Sequence, residues 1–174
     1  MLDMSKTNIA IMVEYRKRGI QHLLLLIREP EAFEDYEVCY DVPFVDIDPY
    51  EDLYHKVRNA LVRLTGFKVP IIEGENELKT YQARGHKAMT YRSFASVHSI
   101  DDRSGKPYHI EVLRCKAEGS LNKIEKEPDR FLLLNLDEVS FMIEDAPEKF
   151  NPFMVEAIKK YLKSAGYLVK GSEV

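Results

Sequence analysis

DPYEDLYHKVRNALVRLTGFKV, residues 48–69, reads as a helix with its start and stop written into it. Asp48 is an N-cap candidate, and Pro49 suits the first helical position, where its missing N–H costs nothing. Glu51, three residues after the cap, completes a capping-box pattern and complements the positive end of the helix dipole. Leu53, Val57, Ala60, Leu61 and Leu64 recur at helical spacing and form the stripe expected to be buried. Gly66 is expected to close the helix in the left-handed conformation. The spacing therefore predicts a helix over about residues 49–65.

On the N-terminal side, NIAIMVEY (8–15) alternates, with Ile9, Ile11 and Val13 on one face. RKRG (16–19) is a turn, and IQHLLLLIRE (20–29) follows as a buried strand, so 8–29 reads as a hairpin. EPEAFEDYE (29–37) is an acidic loop. VCYDVPFVDI (38–47) is extended, with Pro43 marking an edge or a break. On the C-terminal side, residues 77–100 contain extended segments interrupted by ARGHK. YHIEVLRCKAEG (108–119) alternates and pairs back across DDRSGKP (101–107) as a hairpin. SLNKIEKEPDR is read as a loop, and FLLLNLDEV (131–139) as a strand running into a short turn. NPFMVEAIKKYLKSAG (151–166) predicts a second helix over about 152–165, with Asn151 as cap, Pro152 as first residue, and Met154, Ile158, Tyr161 and Leu162 on the apolar side. The order of strands, helix, strands, helix gives an α/β (α+β) class, expected as one domain over residues 1–174.

Composition sets the limits. The 174 residues are 45% hydrophobic and 31% charged, ordinary for a globular domain. No apolar run reaches the roughly 18 residues of a membrane-spanning helix, so no membrane partner is expected. MLDMSKTN has an early Asp and no apolar core, so no secretory signal is read there. Cys39 and Cys115 are expected to be free thiols of a cytoplasmic protein rather than a disulfide. A net charge of −4 disfavours nucleic acid as a partner. The charge is unevenly spread. Residues 31–52 carry nine acidic residues and no Lys or Arg, whereas 53–72 carry Lys56, Arg58, Arg63 and Lys68 and no acid.

Counting back from TGF (65–67), the chain resembles a Nudix hydrolase domain. The family motif is G, five residues, E, seven residues, then R-E-U-x-E-E-x-G-U, where U is bulky and aliphatic. Gly66 and Phe67 match its end and Glu51 its first Glu, so the box spans residues 45–67. DPYE (48–51) corresponds to the common EPGE lead-in, and VPFV (42–45) stands where the family usually has LPGG. The hairpin ending LLLLIRE and the stretch LLNLDEV (133–139) resemble further family strands. The resemblance covers nearly the whole chain and implies a Nudix-like α/β/α sandwich with a mixed β-sheet and two main helices.

The departures fall on the chemistry. The motif's first Gly is Val45, its Arg is Asn59, the next Glu is Ala60, and its two adjacent glutamates are Arg63 and Leu64. In the family these glutamates hold Mg²⁺ or Mn²⁺ on a pyrophosphate. Hard divalent cations take oxygen ligands, and Ala60, Arg63 and Leu64 offer none. Slipping the register by one residue restores no carboxylate. No metal site and no cofactor are therefore expected on this helix.

At 100° per residue, Lys56, Asn59, Ala60 and Arg63 share one side, where the family displays its metal ligands. Lys56, Asn59 and Arg63 are candidate contacts to an anionic ligand, with Arg suited to phosphate by its bidentate geometry. The alternative is a solvated face pairing with the acidic 31–52 stretch. KTYQARGHKAMTYR (79–92) adds Arg84, Lys87 and Arg92, interleaved with Tyr81 and Tyr91, which suits a nucleotide or equally a hairpin rim. The five histidines show no short metal spacing.

Two readings follow. In the first, the chain is a non-hydrolytic Nudix-like domain binding a nucleotide-like or phosphate-containing ligand or a protein partner. In the second it is a divergent hydrolase of a nucleoside diphosphate-linked substrate, using Mg²⁺ or Mn²⁺ and carboxylates from outside the box helix. Glu51 and Glu111 are its catalytic candidates, with Asp46, Asp48 and Glu144 as further carboxylates. A homodimer is compatible with either, and an assembly role with the C-terminal helix as interface is a third possibility. If the first reading holds through direct contact, Arg63→Glu abolishes nucleotide or phosphate binding in a titration, and wild-type binding by the variant contradicts it.

Overall fold

The computed structural model describes residues 7–28, 40–47, 52–100 and 104–168. It is an α+β chain with one large mixed sheet and, among these residues, four α-helices. Among the described residues, eight strands belong to the large sheet and two form a separate ribbon. The chain divides into two compact units, residues 1–11 with 44–120 and residues 12–43 with 121–174, and the first strand, β1 (Thr7–Lys17), passes from one to the other.

In the first unit, the start of β1 pairs antiparallel with β4 (Phe44–Ile47), placing Ile9 opposite Val45. Pro43 falls in the break between β3 (Tyr40–Asp41) and β4, where no ladder needs its absent N–H. Helix α1 (Leu53–Thr65) packs on β4 and on β5 (Lys68–Ile72). The long strand β9 (Pro107–Glu118) has β5 on one side and β8 (Ala95–Ile100) on the other. Strands β6 (Lys79–Ala83) and β7 (His86–Thr90) pair with each other as the separate ribbon. Ile9, Ile11, Val57, Leu61, Phe67, Ile110, Val112 and Leu113 form its core.

In the second unit, β1 continues into a hairpin with β2 (Ile20–Ile27), in register from Glu14 opposite Leu23 to Lys17 opposite Ile20. Arg18 and Gly19 turn the chain with φ of 52° and 77°. Both values are positive, as in a type I′ turn, which matches strand twist. Strand β10 (Phe131–Asn135) pairs with β2, and β3 pairs with its far end. Leu23, Leu24 and Leu25 are fully buried there. Helix α3 (Leu136–Asp145) packs on β2, β10 and α4 (Val155–Ser164). Met154, Ile158, Tyr161 and Leu162 are all buried, as the periodicity requires.

Element boundaries depart from expectation at four places. Helix α1 starts at Leu53, capped by Asp52, whose carboxylate accepts the His55 N–H at 3.2 Å, a cap worth about 1 kcal/mol. The proposed cap Asp48, Pro49 and Glu51 lie outside the described residues, as do the acidic loop 29–37 and Cys39. Helix α4 starts at Val155 rather than at Pro152. Asn151 is no helix cap: its Oδ1 accepts the Phe153 N–H at 3.0 Å, and its Nδ2 donates to Asp41 at 3.1 Å. The segment after β10 is helix α3 and not a short turn, capped by Asn135, which accepts from the Glu138 N–H at 2.9 Å. A short helix α2 (Asn122–Glu125) occupies the expected loop, burying Ile124.

Asp41 is the buried charge of the second unit, at 1% exposure. It accepts from the Val42 N–H at 2.8 Å and from Asn151, and Arg28 Nε lies 3.1 Å away. Burial nevertheless pushes its carboxyl above the ordinary value, outweighing the lowering by Arg28, the Val42 N–H and Asn151. A raised folded-state value means that the folded state binds the extra proton. The stabilisation is complete below the unfolded value, about pH 4, and is lost as pH rises through the folded one. Asp41→Asn removes that dependence. In urea unfolding from about pH 4 to about pH 7, the stability difference shifts in favour of the variant as pH rises, and a constant difference contradicts the assignment.

Candidate functional site

Helix α1 buries Leu53, Tyr54, Val57, Leu61 and Thr65. Ala60 and Leu64 of the predicted stripe are only half-buried, while Tyr54 and Thr65 join it. Thr65 belongs inside because its hydroxyl is satisfied: it donates to the Leu61 carbonyl at 2.7 Å and accepts the Phe67 N–H at 3.0 Å. Gly66 then closes the helix at φ 77°, with its N–H on the Val62 carbonyl at 2.9 Å. This fixes the helix's rotation and leaves Lys56, Asn59 and Arg63 exposed. Asn59 Nδ2 lies 3.0 Å from His55 Nε2, one turn back. The face thus presents an ammonium, an amide and a guanidinium.

Those side chains do not fit a hard divalent cation. Positions 60, 63 and 64 carry a methyl, a guanidinium and an isobutyl group. Among the described residues no three His, Cys, Asp or Glu side chains converge to hold a metal ion. Of the carboxylates considered as substitutes, Glu51 and Asp48 lie outside the described residues. Asp46 is on β4 in the first unit, and Glu144 is on α3 in the second.

The opposite flank of α1 is tied into an arginine–glutamate network. Arg58 Nε donates to the Val69 carbonyl at 2.8 Å, and its two terminal nitrogens grip Glu75 at 2.5 and 2.6 Å. That bidentate bond holds the Glu75 carboxyl below its ordinary value and raises Arg58 above its own. Arg114 Nε donates to Glu73 at 2.6 Å, with its guanidinium 5.0 Å from the centre of the Phe94 ring. Arg92 reaches Glu73 at 3.4 Å and Glu77 at 3.2 Å. The Tyr54 hydroxyl donates to the Gly74 carbonyl at 3.1 Å. A cavity of about 370 Å³ lies among residues 70–77 and Arg92. Gly74 is required here: φ is 87°, and a Cβ would come 2.3 Å from the Arg92 carbonyl oxygen.

The remaining predicted contacts separate by element. Arg84 and Gly85 form the tip of the β6–β7 ribbon, with φ of 51° and 75°. Lys87 is exposed on β7 opposite Gln82, and Tyr81 is 69% exposed on β6. Residues 79–90 of the basic stretch thus form a two-stranded ribbon. The structure groups Lys56, Asn59 and Arg63 on α1, Arg84 and Lys87 on the ribbon, and Arg92 with the glutamates of 73–77.

The sequence reading singled out Glu111, and the structure joins it to a polar cluster on β8 and β9. Glu111, 15% exposed, accepts from the Ser96 hydroxyl at 2.9 and 2.8 Å and lies 2.7 Å from His109 Nε2. His98 faces His109 across the strand pair. Burial pushes the nearby Tyr91 hydroxyl up to about 12, with the charge of Glu111 and then Tyr54 adding to it. Strand β9 begins at Pro107, inside the turn read as 101–107, so Ile100 pairs with Pro107, residue 98 falls opposite 109 and 96 opposite 111; the longer turn would have put 98 opposite 110.

No protein-family model matches the sequence, and no curated protein does. Solved structures match along nearly its full length. A mutT/nudix family protein from Listeria innocua is 15% identical, covers 95% of each chain and has a TM-score of 0.53. The Nudix domain of Shewanella oneidensis NrtR, complexed with ADP ribose, is 12% identical over 91% of this chain and 87% of its own, at TM-score 0.54. The Ap4A hydrolase of C. elegans is 12% identical over 94% of this chain and 100% of its own, at TM-score 0.50. The fold is Nudix-like, as the box at 45–67 implied.

Proposed function

We propose that this chain is a Nudix-like domain that binds a nucleotide-like, phosphate-containing ligand without hydrolysing it and without Mg²⁺ or Mn²⁺. The observation that carries the reading is the α1 face. Where the resemblance places metal-binding carboxylates, the helix exposes Lys56, Asn59 and Arg63 and offers no carboxylate oxygen. Hydrolysis of a phosphoanhydride through a metal requires that the ion activate water and neutralise the leaving group. A binding site needs only positive charge and hydrogen-bond donors. Successive rises of about 4.5 and 6 Å along the helix separate the three side chains, within reach of two linked phosphates. Arg63 can take one phosphate bidentately, Lys56 acts as a point charge, and the Asn59 amide donates. The ADP ribose complex of the NrtR Nudix domain makes a diphosphate-linked nucleoside the first ligand to try.

A hydrolase using carboxylates from outside the helix is the second reading. It draws on Glu111, a carboxylate held by Ser96 and His109.

The test combines melting temperature with hydrolysis of a panel of nucleoside diphosphates and ADP-ribose, followed as inorganic phosphate from the diphosphates and as AMP from ADP-ribose, with and without Mg²⁺ or Mn²⁺. A bound ligand at a hundredfold its Kd stabilises by about 2.7 kcal/mol. The expected result is a raised melting temperature that does not depend on metal, with neither phosphate nor AMP formed. Metal-dependent formation of phosphate or AMP overturns the proposal.

A further inference from the structure

We infer that His98 and His109 form a chelating pair for a borderline divalent transition metal, Cu²⁺, Ni²⁺ or Zn²⁺, on the exposed face of the β8–β9 hairpin. The two residues are direct cross-strand partners. Their Nδ1 atoms are 3.1 Å apart and their ring centres 4.4 Å. With metal–nitrogen bonds of about 2.0–2.1 Å, that separation corresponds to an angle at the metal of roughly 100°, between tetragonal and tetrahedral values. Both rings are exposed, so water can complete the coordination.

The protonation pattern favours this use. Glu111 Oε1 sits 2.7 Å from His109 Nε2. A carboxylate there keeps the proton on Nε2 and leaves the Nδ1 lone pair pointing at His98. Carboxylate–histidine–metal chains use this arrangement to orient the ring and raise its basicity. The Ser96 hydroxyl, donating to the same carboxylate, holds Glu111 in place. In the metal-free pair, the His98 Nδ1–H donates to His109 Nδ1. When a cation enters between the two nitrogens, the neutral His98 ring gives up its Nδ1 proton and takes one at Nε2 through solvent, and both Nδ1 lone pairs become ligands. This tautomer change releases no net proton from the neutral pair.

The pair is an open, two-nitrogen site, which suits imidazole-preferring metals and not Mg²⁺ or Ca²⁺. It differs from the phosphate site proposed for α1 in residues, element and ligand, so either can fail without the other. The Irving–Williams order places Cu²⁺ as the tightest of the three.

Calorimetric titration of the full chain with Cu²⁺ and Zn²⁺ tests it. Wild type and His86→Ala, a control on exposed β7, are expected to bind one equivalent with Cu²⁺ the tighter, and Mg²⁺ is not expected to compete. His98→Ala and His109→Ala are each expected to weaken binding at least tenfold, and Glu111→Gln by about tenfold or more. Should an alanine variant fail to fold, His98→Gln replaces it. In wild-type protein, one equivalent of Zn²⁺ is expected to shift the ring signals of two of the five histidines. Undiminished binding in both His98 and His109 variants overturns the inference. So does the absence of saturable Cu²⁺ binding in wild type, or a Zn²⁺ shift of other imidazoles instead.

Discussion

Burial of Leu53, Tyr54, Val57, Leu61 and Thr65 fixes the rotation of α1, and the chemistry of the first unit follows from that rotation. An α-helix turns about 100° per residue, so once five side chains face the core the outward set is determined. Here it includes Lys56, Asn59 and Arg63, with His55 and Val62. The end of the helix is pinned independently by Gly66 and by the two hydrogen bonds of Thr65. A Nudix-like fold therefore keeps its helix where the fold needs it, while the residues that face outward are free of any requirement from the core. Such positions can change their chemistry without changing the fold.

The charges of the first unit divide by role. Arg58, Arg92 and Arg114 are engaged with Glu73, Glu75 and Glu77, and together they hold the chain from Val69 to Leu78 against α1 and β9. This is structural work, and it explains why Arg92 belongs more to that loop than to the ribbon beside it in sequence. Lys56 and Arg63 stand on the other flank of the helix, where a phosphate-containing ligand would meet donors instead of acceptors. Glu111 stands apart from both groups, its oxygens in contact with Ser96 and His109.

Periodicity made much of this legible. The hairpins, the two main helices and the closing Gly66 all leave strong patterns of period two or 3.6 in the sequence. Helix starts were harder. Asn151-Pro152 looks like a cap followed by a first helical residue, yet the Asn151 side chain is occupied by Asp41 and by the Phe153 N–H, so a turn precedes α4. Helix α3 was hidden by its place directly after a strand, although Asn135, Asp137 and Glu138 carry an N-terminal signature. The His98–His109 pair was missed because a search for short sequence spacing cannot see residues joined by strand pairing. The register of the hairpin held that information, and only the geometry revealed what it brings together.

The account rests on phosphate recognition by α1 without a metal ion. The most direct measurement is a calorimetric titration of the wild-type chain with ADP-ribose, once in excess chelator and once with Mg²⁺. Saturable binding with the same Kd in both conditions is the predicted result. Binding that appears only with Mg²⁺, or none in either condition, would contradict it.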